Sequence, residues 1–539
     1  MESHPGGGLD HQGIDIGHTA MRQTDRPVAQ EGGRPGRRFV DCSASERHMC
    51  PCSHFGDLRT CDSIATMVDR LSALDASFLY LEDHTTPMHV GGVAVFERPG
   101  SGFDYDELLA FVRRRLGSVP RYRQKVVQVP GHLARPVWVD DQEFDISYHV
   151  RRSALPKPGN DEQLHELVQR LMSRKLDTTR PLWELYLIEG LADGRVALVT
   201  KTHQAMVDGI GAVDISQLIL DSVPDGRRDR EEDLWMPRPE PGFVGLAVGA
   251  VTEAVGRPGE VVENVRAAAV DARASLRKLT GVLGGVCSAL GTALPPASGG
   301  PLNSSTSPQR RFAVARGKLE DLRAIRHEHG GTVNDVVLAV LTTALRSWLL
   351  FRGEAVSART TVRALVPVSV HADGPAATER DEPTDVSLDR VSACLVDLPV
   401  GEPNPVMRLH QVGHAMRAHA ESGRSVAADA LVRLSGFAPS TLHALGARVA
   451  GGLSNRVFNL LVTNVPGPQV PLYAAGATMS EMFPVVPLVK NQSLAIGVTS
   501  YNGGVFIGLN ADRAAVPDVD ALAAMIEESV EEMIGTVGE

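Results

Sequence analysis

Apolar positions repeat at every second residue in some stretches of the chain and at every third or fourth in others, and each period predicts a different element. Alternation over Val90 to Phe96, after Pro87, predicts a strand. Pro181 to Leu191 predicts a second, and Val196 onward a third, with Val196, Leu198 and Thr200 on one side and Ala197 and Val199 on the other. The Ala192-Asp193-Gly194 turn makes those two a hairpin. Further strands are expected over Arg311 to Lys318, Arg363 to Val370, Val391 to Leu398 and Asn459 to Pro468. Leu494 to Thr499 and Gly504 to Leu509 flank an Asn-Gly turn and form another hairpin.

Helical spacing predicts a short helix within Asp69 to Glu82 and one over Tyr105 to Leu116, with Leu108, Leu109, Val112 and Leu116 on one face. A helix over Asn160 to Leu176 carries Leu164, Leu167, Val168 and Leu171 inward and opens on an Asn160-to-Gln163 capping signal. Leu319 to Glu328, Val333 to Phe351, Met407 to Ala420 and Pro517 to Met533 complete the set. Strands and helices alternate throughout, so the fold class is mixed α/β.

The pattern is absent at the start and weak in the middle, which divides the chain. Residues 1–66 are dense in Gly, Pro, Arg and His without a period, and are expected to be a disordered N-terminal extension, with Met67 as an alternative start of the native chain. Residues 67–223 form a first globular part. Residues 224–308 form a linker: charged and Pro-rich to about Pro241, then Ala-, Val- and Gly-rich with amphipathic helices that suit a connecting layer or a lipid-facing surface. Residues 309–539 form a second globular part.

Composition narrows the function classes. A net charge of −11 with no sustained basic run excludes a nucleic-acid binder. No run of about 18 uninterrupted apolar residues is present, so no spanning helix is expected, while attachment at an interface stays open. Six cysteines in 539 residues make no disulfide framework and point to a reducing cytoplasm. Cys50, Cys52, His54 and Cys61 lack the spacing of a zinc site, and no metal is expected.

The candidate chemistry lies where the third strand ends, in RVALVTKTHQAMVDGIG. That strand delivers His203, Gln204, Asp208 and Gly209 to its exit. An HQxxxDG stretch there is either a hydrogen-bonded turn or a group placed in a cleft and braced by the Asp.

Several stretches taken together resemble one family. LSALDASFLYLED with PMHVGGVAVFE, PLWELYLIEGL, HQAMVDG, TVNDVVLAVL, VPVSV, TNVPGP and SYNGG with GLNAD occur in the order found in the bacterial wax ester synthase/acyl-CoA:diacylglycerol acyltransferases, from Met67 onward. That family is similar to the wider superfamily of CoA-dependent acyltransferases and peptide-condensation domains. The resemblance implies two CoA-dependent-acyltransferase-like lobes enclosing a central tunnel, joined by the helical linker, with an HHxxxDG motif at the centre. It implies transfer of a long-chain acyl group from acyl-CoA to diacylglycerol or a long-chain alcohol, in triacylglycerol or wax ester synthesis. Acyl-CoA enters as a co-substrate and no cofactor is implied. The implied location is cytoplasmic, peripheral on membranes or lipid droplets.

In the family motif the second His is the proton acceptor, the Asp orders the loop and the Gly lets the backbone turn. These positions fall here on Gln204, Asp208 and Gly209, with His203 as the first, structural His. An amide has no basic nitrogen, and loss of a general base costs about 10²- to 10⁴-fold in rate. In an extended strand His203 points away from the tunnel; a one-residue bulge would bring it round. Asn334 and Asp335 match the family's ND motif, which suits either helix capping or a lobe-bridging, substrate-binding role. His89 and Trp183 are expected to be core residues. Two functions follow from the resemblance: an acyltransferase impaired at Gln204, or a silent relative that binds acyl-CoA or neutral lipid.

Overall fold

The computed structural model describes residues 69–97, 104–130, 134–207, 215–224, 235–242, 245–246, 300–370, 390–422 and 457–538. The N-terminal extension with its Cys50, Cys52, His54 and Cys61 cluster, most of 224–308, and Asp208 and Gly209 lie outside them.

In chain order, β1 (Asp69–Arg70) precedes α1 (Ala73–Leu81), β2 (His89–Phe96) and α2 (Tyr105–Leu116). Then come β3 (Gln124–Val127), β4 (Val137–Asp140), α3 (Ile146–His149), β5 (Val150–Ala154) and α4 (Asp161–Met172). β6 (Trp183–Glu189) and β7 (Val196–His203) lead into α5 (Gln204–Val207) and α6 (Ile215–Ile219). The second half holds β8 (Arg310–Lys318), α7 (Leu319–His329), α8 (Val333–Phe351), β9 (Val362–Val370), β10 (Arg390–Leu398) and α9 (Pro405–Ser422). It closes with β11 (Leu460–Pro466), β12 (Tyr473–Ala474), β13 (Ala477–Val485), β14 (Leu494–Tyr501), β15 (Gly504–Asp512) and α10 (Val519–Ile534).

Two six-stranded sheets organise these elements. The first has the order β12-β13-β2-β7-β6-β5 and the second β10-β9-β11-β14-β15-β8, while β1, β4 and β3 form a small separate sheet. The expected β6–β7 hairpin forms, with Trp183 opposite Thr202 and Ile188 opposite Ala197, and turns on Asp193 and Gly194 at φ 60° and 71°. Glycine adopts such angles without strain and Asp is among the residues that tolerate them best, so the Asp193-Gly194 pair closes the turn cheaply.

The first sheet is completed by a strand from far along the chain. β13 pairs antiparallel with β2, Phe483 opposite Val93, and the periodicity did not mark it as a strand. It also lies against the second sheet. A side chain at Gly508 would meet the Pro484 carbonyl oxygen at 1.9 Å, and one at Gly497 would meet the Val486 and Pro484 side chains below 3 Å. Both glycines therefore let β13 cross closely over β14 and β15. Phe312, Val314, Tyr501 and Phe506 from the second sheet share one buried cluster with Phe96, Val199 and Phe483 of the first.

Helix α8 is long and apolar enough to cross a membrane by length and composition, yet it is the core helix of the second sheet: Val336, Leu338, Leu341, Leu345 and Trp348 are all buried. The capping box predicted for α4 is present, Asn160 Oδ1 accepting from the Gln163 amide at 3.0 Å and Gln163 Oε1 from the Asn160 amide at 3.2 Å. That helix stops at Met172 rather than continuing to Leu176. Its terminal carbonyls are taken by side chains of the sheet beneath it, as described next.

Candidate active site at the strand exit

β7 stays in register with β2 up to its last residue, His203 opposite His89, and no bulge interrupts the pair. Strand alternation then puts Val199, Lys201 and His203 on one face, beside Glu184 and Tyr186 of β6 and Gly91 and His89 of β2. Helix α4 covers this face. Gly91 makes room for it, since a Cβ there would lie 2.3 Å from the Met172 methyl carbon.

Charged and polar side chains on this face satisfy the end of α4. Lys201, 1% exposed, donates to the Leu171 carbonyl at 3.1 Å and to the Arg174 carbonyl. His89 Nε2 donates to the Met172 carbonyl at 2.9 Å. A cation at a helix C-terminus complements the unpaired carbonyls. Glu184 balances Lys201 at 3.7 Å, pairs with Arg151 at 3.2 Å and accepts from the Tyr186 hydroxyl at 2.8 Å. Burial lowers the Lys201 ammonium to about 8 against the opposing pull of Glu184, and burial raises the Tyr186 phenol strongly, with Glu184 adding to the effect.

His203 is sealed in the same interior. It is 1% exposed, its Nδ1 accepts from the Ala205 amide at 3.1 Å, and its Nε2 is buried without a hydrogen-bond partner among the described residues. Burial first, and the Lys175 charge second, push its pKa down to about 3, so the ring is neutral. Gln204 is placed differently. The strand ends before it and α5 begins on it, so its side chain leaves the pleat; the residue is partly exposed although its Oε1 is enclosed, and its backbone amide donates to the Met88 carbonyl at 2.9 Å.

The ND pair sits in the first turn of α8. Asp335 forms a capping box with Thr332, accepting from its amide at 2.8 Å while the Thr332 hydroxyl accepts from the Asp335 amide at 3.1 Å. Asn334 Oδ1 accepts from Asn464 Nδ2 on β11 at 2.9 Å, which ties the ND and TNVPGP stretches together. These bonds stay within the second sheet and its helices. Trp183 is buried, donates to the Tyr122 carbonyl at 2.7 Å and stacks on His149 at 4.6 Å.

Comparison with known proteins places these positions in a family. The model described as wax ester synthase/diacylglycerol acyltransferase catalytic domain matches residues 71–337, and the WS/DGAT C-terminal domain matches residues 389–534. A Mycobacterium tuberculosis protein named "Probable diacyglycerol O-acyltransferase tgs1" is 32% identical over 469 residues, covering 87% of this chain and 96% of its own. The chain belongs to the wax ester synthase/diacylglycerol acyltransferase family. A second M. tuberculosis protein, named "Probable diacyglycerol O-acyltransferase tgs3", is 48% identical over 263 residues, 48% of this chain and 96% of that one. The solved wax ester synthase/diacylglycerol acyltransferase of Marinobacter aquaeolei superposes with a TM-score of 0.62 at 27% identity, over 87% of this chain and all of that one.

This wax ester synthase/diacylglycerol acyltransferase homologue has polar structure that sequence reasoning passed over. Glu184 in LWELYL and Lys201 in VTKTH are charges inside apolar runs, and that was the available signal for an inward-facing ion pair. Arg310 of β8, 3% exposed, ties the second sheet to the first half of the chain: it lies 3.7 Å from the fully buried Asp512 of β15, donates to the Thr85 carbonyl in the loop before β2, and its amide donates at 3.0 Å to Oγ of Ser173 at the end of α4. A cavity of about 700 Å³ opens between α4 and the β8–α10 surface, lined by Asp161, His165, Phe312, Arg316 and Asp520 among others. A second, of about 460 Å³, lies beside Asn303, Arg363 and Asn459. Neither is lined by His203 or Gln204.

Proposed function

We propose that this protein is an acyl-CoA-dependent O-acyltransferase that esterifies diacylglycerol or a long-chain alcohol, and that Gln204 makes it slow. The observation that carries the proposal is the placement of Gln204, partly exposed at the first turn after β7, beside a His203 that is buried and neutral. In the reaction the acceptor oxygen attacks the thioester carbon, the C–S bond breaks, and the hydroxyl proton ends on the CoA sulfur. A general base at the attack point would carry that proton. An amide can hold the hydroxyl or donate to the developing oxyanion, but it cannot carry a proton near neutral pH. His203 does not take over, because its Nδ1 lone pair is engaged by the Ala205 amide and its ring is enclosed. Positioning of the two substrates is then the main source of rate. Apolar acceptors imply work at a membrane or lipid-droplet surface, and the sparse cysteines favour the reducing cytoplasm.

The test is ester formation and free-CoA release by the purified protein with long-chain acyl-CoA and either diacylglycerol or a long-chain alcohol, beside Gln204→His. The expected result is slow transfer by the natural chain and a gain of about 10²- to 10⁴-fold on substitution. Equal rates in both proteins, or no ester from either, would refute the proposal.

A further inference from the structure

Two buried imidazoles face each other across the β2–β7 pair, and each has one ring nitrogen left over. His89 and His203 are direct cross-strand partners, 4% and 1% exposed, with His89 Nδ1 and His203 Nε2 both enclosed and without a hydrogen-bond partner among the described residues. Cross-strand partners carry their side chains on the same face of the sheet, with Cβ atoms about 4.5–5.5 Å apart.

The other nitrogens fix the protons. A carbonyl oxygen can only accept, so the contact to Met172 makes His89 Nε2 the protonated nitrogen and leaves Nδ1 as a lone pair. A backbone amide can only donate, so the contact from Ala205 leaves His203 Nδ1 as a lone pair and puts the proton of the neutral ring on Nε2. One leftover nitrogen is a donor, the other an acceptor. Leaving both unpaired in a dry interior would cost the full desolvation of each.

The geometry points to a hydrogen-bonded link from His203 Nε2–H to His89 Nδ1, which makes His89 a positioning residue for the strand exit that carries Gln204. The link closes through a small ring rotation or one buried water, with the same proton placement in either case. It completes a chain polarised in one direction: Ala205 N–H to His203, His203 to His89, and His89 to the Met172 carbonyl at the end of α4. Ala205 follows Gln204 directly, so the chain ties the corner bearing Gln204 to a helix terminus that Lys201 also holds. Each link orients the next, as a fixed tautomer does wherever one ring nitrogen is committed.

The inference that His89 affects turnover rests on the acyltransferase reading; the link itself does not. Histidine ring ¹⁵N spectra of the full chain test the link without any substrate. Both rings are expected as neutral Nε2–H tautomers, and a His203 protonated on Nδ1 would overturn the proposal. His89→Gln keeps a donor for the Met172 carbonyl and removes the acceptor at Nδ1. In it the His203 Nε2–H signal should move and exchange with water at least about tenfold faster. His89→Asn keeps an acceptor near Nδ1 and gives up the helix contact, so it should preserve the His203 signal while lowering the melting temperature. An unchanged His203 signal in His89→Gln would also overturn the link. In a Gln204→His background, His89→Gln should lower kcat about fivefold, the equivalent of one net hydrogen bond, with KM unchanged; an unchanged kcat would refute the positioning role. If Gln204→His forms no ester, the acyltransferase reading fails while the spectra still decide the link.

Discussion

Acid should unfold this protein partly through His203. In the folded chain the ring stays neutral down to about 3, whereas an exposed histidine titrates near the ordinary value of 6.5. Because the folded pKa is depressed, the unfolded chain binds the extra proton first. The stability is fully present above 6.5 and is lost as pH falls toward 3. Between pH 7 and pH 5 this one ring should remove about 2 kcal/mol. His203→Asn is the informative substitution, since its Oδ1 can still accept from the Ala205 amide while nothing titrates. Guanidinium unfolding of both proteins at pH 7 and pH 5, compared at equal m-values, isolates the difference. The natural chain should lose about 2 kcal/mol more than the variant over that interval. The same pH dependence in both would mean that His203 is solvated in the native state, and the burial described for the strand exit would be wrong.

Two further outcomes test a buried ion pair within the second sheet and the close crossing of the two sheets. Arg310→Met leaves the enclosed Asp512 without its cation and should cost about 3–5 kcal/mol, whereas adding Asp512→Asn should recover part of that; a double variant less stable than the single one would refute the pairing. Gly508→Ala forces a methyl group against the Pro484 carbonyl and should destabilise by about 1–3 kcal/mol or more, which a thermal melt would show; a neutral substitution would mean that β13 does not cross β15 so closely.

Most regular elements were legible because each carries its own period. Tyr105–Leu116 and Val333–Phe351 were predicted with the limits observed, β7 starts at Val196 as expected, and β6 spans Trp183–Glu189 within the expected Pro181 to Leu191. The α4 helix was overextended because nothing local in Ser173-Arg174-Lys175-Leu176 stops it; Lys201 and His89, from distant strands, take its terminal carbonyls. β13 was missed for the opposite reason. Its alternation is broken by a register shift between Met479 and Glu481 and by Pro484, a residue that argues against a central strand, and its pairing with β2 depends on contacts far away in sequence.

The sequence by itself determined what chemistry is available at the residue that follows β7. Gln204 has no basic nitrogen, and no arrangement of neighbours can give it one. Local periods and turn residues likewise determined the hairpin that delivers it. Only the tertiary structure decided the state of the adjoining His203 and of His89, because an imidazole titrates in the range where burial and one committed nitrogen settle its charge and tautomer. The same dependence on distant partners put β13 into the first sheet and Arg310 against Asp512, since pairing and desolvation are properties of what packs around a residue and not of its own stretch of chain.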